Sequence, residues 1–257
     1  MKTTLLVLLL TIGLGTAFAT STTSELVIEN SNGSQICSIT ENAGGNAVYT
    51  GNACSGLTGR VLFNDSSITI SNGTFITGGT NTWALSVVDG VSGTPDADGP
   101  GLDVTSLTAV CGSVGNPCSS GSQMQLLFSD TGFTTPAGSF VNGFSATDSG
   151  SSTAQTEQLA FVSTTNTLLA QTTSIGTVGW FTGAGTFNGS VSGGAAATTP
   201  YSLTLEQVFT TGSTDTTKDT FSVDGSLNAN PVPEPMSLLL LGGCLLVVGR
   251  KLTARLA

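Results

Sequence analysis

Glu157 and Glu206 are the residues with most scope for chemistry in this chain. Two carboxyls flanking a sugar ring can hydrolyse a glycosidic bond without histidine, one as acid and the other as nucleophile or base. Histidine is absent from all 257 residues. Its absence excludes Ser-His-Asp and Cys-His catalysis and removes the usual ligands of zinc and of facial iron sites. Lys218 is the only lysine between residues 20 and 231; it stands in a polar turn, 210–220, where a solvated amine is expected. Neither a Gly-x-Ser-x-Gly elbow nor a P-loop is present. Glu206 alternates with Ser202 and Thr204, opposite Tyr201, Leu203 and Leu205, and so reads as a solvated acid. Glu157 lies in a Ser/Thr-rich stretch before a strand. A jelly-roll glycoside hydrolase is the least favoured reading, no catalytic residue is assigned, and the chain reads as a non-enzyme.

Asp89, Asp96, Asp98 and Asp103 cluster around a Gly/Pro-rich stretch. Hard oxygen ligands at such spacing suit calcium, the one cofactor these residue types allow, yet the third acid and terminal Glu of an EF-hand loop are missing. Asx turns account for the same aspartates. Trp83, Trp180 and Tyr201 would make a stacking platform for a carbohydrate-binding module if exposed together. Their alternation with apolar neighbours assigns them to the core instead. Cys37, Cys54, Cys111 and Cys118 are an even set; proximity favours 37–54 and 111–118 as two disulfides, among three possible connectivities. Four Asn-x-Ser/Thr triplets, at Asn32, Asn64, Asn72 and Asn188, match the glycosylation pattern but read as turn chemistry.

The elements that position these side chains are strands. Trp83, Leu85 and Val87 recur at period two and point one way, as do Met124, Leu126 and Phe128, then Tyr201, Leu203 and Leu205, then Phe221 and Val223. Residues 66–77 read as a hairpin turning at Asn72-Gly73, with Ile70 opposite Phe75. Further strands are expected at 25–29, 36–40, 60–63, 102–110, 158–163, 168–173 and 178–182. No amphipathic helix of useful length and no fixed-period repeat appears. The fold class is all-β, a β-sandwich of jelly-roll type, in one domain over residues 20–231. That region holds two basic residues, Arg60 and Lys218, against fifteen acidic ones. Such a charge repels phosphate backbones and anionic lipids, so nucleic acid is excluded as a partner.

Both ends read as addresses. Residues 1–19 have a positive start at Lys2, an apolar run over 5–14 and an Ala17-Phe18-Ala19 site, the pattern of a signal peptide removed by signal peptidase. At the other end Val232-Pro233-Glu234-Pro235 precedes an apolar run and then Arg250, Lys251 and Arg255. Fourteen residues, 236–249, rise roughly 21 Å as a helix. That is short of the ~20 residues of a full span. Apolar residues all round the run and cationic snorkelling at its end favour a single transmembrane helix over a core helix. The prolines keep the preceding segment extended.

The tail over 232–257 closely resembles the PEP-CTERM sorting signal of Gram-negative bacteria, with Pro233, Glu234 and Pro235 as motif, 238–248 as hydrophobic segment and Arg250, Lys251 and Arg255 as basic end. The basic end departs mildly, being less dense in arginine. The stretch 201–235 also looks like the closing hairpin of such ectodomains. The resemblance implies recognition by exosortase, a membrane-anchored intermediate, release to the cell surface or matrix, and a structural or interaction role linked to exopolysaccharide and biofilm.

Overall fold

Period-two patterning drives most of this chain into strands, and the computed structural model is an all-β sandwich of two antiparallel sheets. It describes residues 24–42, 46–58, 61–64, 67–70, 73–78, 81–86, 88–92, 101–112, 118–194, 196–212 and 218–231. In chain order the strands are β1 (Ser24–Asn30), β2 (Gln35–Glu41), β3 (Ala47–Thr50), β4 (Val61–Asn64), β5 (Ser67–Ile70), β6 (Gly73–Gly78), β7 (Asn81–Ser86) and β8 (Val88–Ser92). Then follow β9 (Gly101–Cys111), β10 (Gln123–Phe133), β11 (Ala137–Ser149), β12 (Gln155–Ser163), β13 (Thr173–Thr182), β14 (Gly185–Gly193), β15 (Tyr201–Thr210) and β16 (Asp219–Pro231). One sheet has seven strands in the order β13-β12-β15-β10-β1-β2-β3. The other has nine: β14-β11-β16-β9-β8-β5-β4, with β7 also paired to β9 and β6 to β7.

The alternating residues face each other between the sheets. Trp83 and Tyr201 are fully buried, as are Leu85, Met124, Leu203 and Phe221. Trp83 stacks on Phe221 at 6.1 Å, and Phe209 lies 5.3 Å from the same ring. Tyr201 packs between Phe133 and Phe140 at 5.4 and 5.9 Å. The interior also holds a polar chain. The Gln158 amide donates to Asn142 Oδ1 at 2.6 Å and to the Gly143 carbonyl at 2.8 Å, and accepts from Gln207 Nε2 at 3.0 Å. Gly225, with no side chain, leaves the space that this amide fills.

Both disulfides join the pairs favoured by proximity. Cys37–Cys54 ties β2 to the 3-10 turn at Asn52–Gly56, and Cys111–Cys118 ties the end of β9 to the approach to β10. Each closes a short loop of the unfolded chain and belongs to an oxidising compartment.

Three expectations are corrected. The hairpin over 66–77 does not form: Ile70 of β5 pairs with Val61 and Val88, while Phe75 of β6 pairs with Trp83. Burial of Trp83 and Leu85 draws β7 onto β9 and β6 onto β7, and this outweighs local turn preference. Residues 168–173 are not a strand; only Thr173 enters β13, and the rest lies against the outer face of the seven-stranded sheet. Nor do β15 and β16 form a closing hairpin, since they belong to opposite sheets and cross the sandwich between them.

Candidate functional site on the outer face of the seven-stranded sheet

Because Leu26, Ile28, Leu126, Phe128 and Leu205 point into the core, the intervening residues of β1, β10, β15 and β12 share the opposite face. The ladder sets Glu29, Gln125, Val208 and Glu157 in one row across that face. The next row is Val27, Leu127, Glu206 and Leu159. Glu157 and Glu206 are therefore diagonal neighbours on adjacent strands, with Glu29 two strands away. The structure brings the two sequence candidates together and adds Glu29, which the sequence had not marked.

Glu206 is on the outer side as expected, but it is not solvated. The segment after β12 folds over it. Gln171 Nε2 donates to Glu206 Oε2 at 2.9 Å, Ser202 Oγ donates to the Thr167 carbonyl at 2.7 Å, and the Leu169 amide donates to Ser129 Oγ at 2.9 Å. Glu206 keeps 9% of its surface and Glu157 7%. Burial, and then the carboxylates of Glu29 and Glu157, push the Glu206 carboxyl up to about 7, against a smaller lowering by the Gln171 amide. Burial also raises Glu157 and Glu29.

Trp180 borders this face. Glu157 pairs with Gly179 and Thr156 with Phe181, so Trp180 is the extra residue of a β-bulge. Val178 and Phe181 both pack on the core, leaving Gly179 and Trp180 on the outer side. Trp180 adopts φ 51° and is 55% exposed. A β-carbon at Gly179 would lie 2.7 Å from Glu157 Cα, so glycine permits this close approach. A bulky non-glycine residue held at positive φ is uncommon, and such strain clusters at functional positions. The expected burial of all three large aromatics thus holds for Trp83 and Tyr201 and fails for Trp180. Bulges leave no period-two signature, which is why the sequence concealed it.

The opposite sheet carries a concavity of about 470 Å³, lined in part by Asp103, Thr105, Ser145, Asp224, Ser226 and Asn228. Where β9 bulges at Ser106, φ 55°, its amide donates to Asp224 Oδ1 at 2.6 Å. No exposed aromatic side chain lines it. Of the aspartates considered for calcium, Asp89 in β8 and Asp103 in β9 lie on adjacent strands, Asp89 opposite Thr105 and Asp103 opposite Val91, while Asp96 and Asp98 are outside the described residues. Among the described residues no group of three or more His, Cys, Asp or Glu side chains is arranged to hold a metal ion. Residues 1–19, expected as a signal peptide, and Val232, Pro233, Glu234, Pro235, the apolar run, Arg250, Lys251 and Arg255 also lie outside them. Among the described residues no helix is long and apolar enough to cross a membrane. β16 ends at Pro231, directly before the Pro-Glu-Pro segment.

No family model matches the chain, and no curated protein matches it. Among solved structures it resembles TmCBM61 in complex with β-1,4-galactotriose, at 14% identity over 58% of this chain and 88% of that one, with TM-score 0.29. A carbohydrate-binding module of the β-sandwich superfamily matches at 10% identity over 81% and 85%, with TM-score 0.30. The N-terminal cellulose-binding domain of Cellulomonas fimi β-1,4-glucanase C matches at 12% over 50% and 81%, with TM-score 0.25. All three scores lie below 0.5, so the functional reading rests on the side chains of this chain.

Proposed function

We propose that this is an exported bacterial surface or matrix protein, sorted by exosortase through its PEP-CTERM-like tail, whose sandwich binds extracellular polysaccharide. The observation that carries the binding reading is Trp180, an exposed indole held on a bulge beside Glu157. An indole face stacks on the apolar face of a sugar ring. The face is acidic, so the reading is for neutral or cationic glycans, not uronate-rich ones. A hydrolytic role is disfavoured because both carboxyls are nearly covered, whereas a glycosidase needs a groove open to both acids. Two disulfides support export.

Affinity electrophoresis through gels containing the host's exopolysaccharide tests the binding. Wild-type protein should be retarded. Trp180→Ala should bind on the order of 10-fold more weakly, the loss of one well-buried stacking contact, with an unchanged melting temperature. Equal retardation of both proteins, or none of either, removes the reading. Sorting is tested by intact mass from the host with and without its exosortase. A chain lacking the region after 232–235 only in the presence of the enzyme is the expected result; a full-length tail in both strains leaves a plain anchor.

A further inference from the structure

At one end of the sandwich β11 carries its inward stripe Phe140, Asn142, Phe144 and Ala146 one step further, to Asp148. Asp148 is 3% exposed, and neither of its carboxylate oxygens has a hydrogen-bond partner. It pairs with Phe221 on β16, which places Asp219 on the same face as its diagonal neighbour. Asp219 is itself 7% exposed and accepts from the Ser151 amide at 2.7 Å and the Gly212 amide at 3.0 Å. A β-carbon on Gly150 would run into Asp219 Oδ1 and lie 2.8 Å from the Lys218 carbonyl oxygen, so a main-chain oxygen stands beside the Asp219 carboxylate. The Lys218 side chain, the one basic side chain among the described residues, is exposed.

We propose that Asp148 and Asp219 hold a calcium ion that fastens the end of β11 to the start of β16. A buried carboxylate without a donor costs several kcal/mol unless it is neutralised or paired. Oxygen-only ligands, including an unspent carboxylate able to bind in bidentate fashion, select a hard divalent cation over zinc. Without a cation, burial and the neighbouring Asp219 push the Asp148 carboxyl up to about 7. The site differs from the aspartate cluster around 89–103 that the sequence suggests, because its two ligands lie 71 residues apart and meet only through the β11–β16 ladder.

The test uses the mature chain, stripped with a chelator and titrated with CaCl2 at pH 7.5, with MgCl2 alongside. Saturating calcium should raise the melting temperature by about 5 °C, with one ion bound per chain by equilibrium dialysis. Asp148→Asn should lose both effects, and Asp103→Asn should keep them. Hydrogen exchange on the wild type gives a readout that does not depend on a variant folding: calcium should protect amides in 148–154, 211–212 and 218–220. No calcium binding by the wild type, a response that survives in Asp148→Asn, or protection confined to other segments would each overturn the site.

Discussion

Replacing Gly225 with alanine is expected to destabilise the sandwich by about 3–6 kcal/mol, the cost of leaving two or more buried polar groups unpaired. The backbone of Gly225 is not the obstacle, because its φ lies outside the left-handed region. Space is. An added β-carbon would collide with Gln158 Oε1 and approach Gln207 Nε2 to 2.6 Å. Gln158 is flexible at its far end and could swing away, but its amide is the hub of the interior polar chain. Moving it breaks the bonds to Asn142 Oδ1, the Gly143 carbonyl and Gln207 Nε2. Gln207 Oε1 already lacks a partner, so the network has no spare donor with which to re-form. Urea unfolding of the mature chain measures the loss. In a Gln158→Ala background the same substitution should cost at least 1 kcal/mol less, a coupling of the size seen between residues in one network. A loss under 1 kcal/mol in the wild-type background would mean the amide repositions freely.

The strands legible in the sequence are those whose inward residues are large. Trp83 and Leu85, Met124 to Phe128, Tyr201 to Leu205 and Phe221 to Val223 all bury the side that alternation assigned to them. Strands β11 and β14 escaped notice because Gly, Ser, Asn and Thr dilute their pattern. On β11 two of the inward positions are Asn142 and Asp148, polar residues that the period-two rule places outside. Their burial depends on partners from β12, β13 and β16, which no local window contains.

The candidate site shows the same division. Glu157 and Glu206 could be picked out because acids are scarce among so many hydroxyls, but their proximity comes from the β12–β15 register. The cover over Glu206 comes from the 164–172 segment, of which 168–173 reads in the sequence as a strand. Leu169 instead turns at φ 57°, and its amide reaches Ser129 Oγ. Trp180 was concealed for a complementary reason: one inserted residue reverses the face of everything beyond it, and only the partner strand reveals the insertion.

Replacing Glu206 with glutamine is expected to change how stability varies with pH. Burial raises the folded-state carboxyl from 4.5 to about 7, so the native state holds its proton more tightly than the unfolded chain. That contribution is fully present below pH 4.5 and is lost as pH rises through 7. A shift of this size corresponds to about 3 kcal/mol at 1.36 kcal/mol per unit. Glutamine carries no charge and can still meet the Gln171 amide, so the variant should match the wild type near pH 4. By pH 8 it should be the more stable by ~3 kcal/mol. Asp148, raised by its own burial, titrates in the same window. It is common to both proteins and cancels in their difference. Glu29 and Glu157 do not fully cancel, because each repels Glu206 whenever both members of that pair are charged, and the measured midpoint belongs to the group of three. Urea unfolding at pH 4, 6 and 8 decides the matter. A difference that stays constant with pH would show that Glu206 reaches water as freely in the folded chain as in the unfolded one. The covering segment would then be open in solution, and the acidic face with Trp180 at its edge would be wider than the closed arrangement.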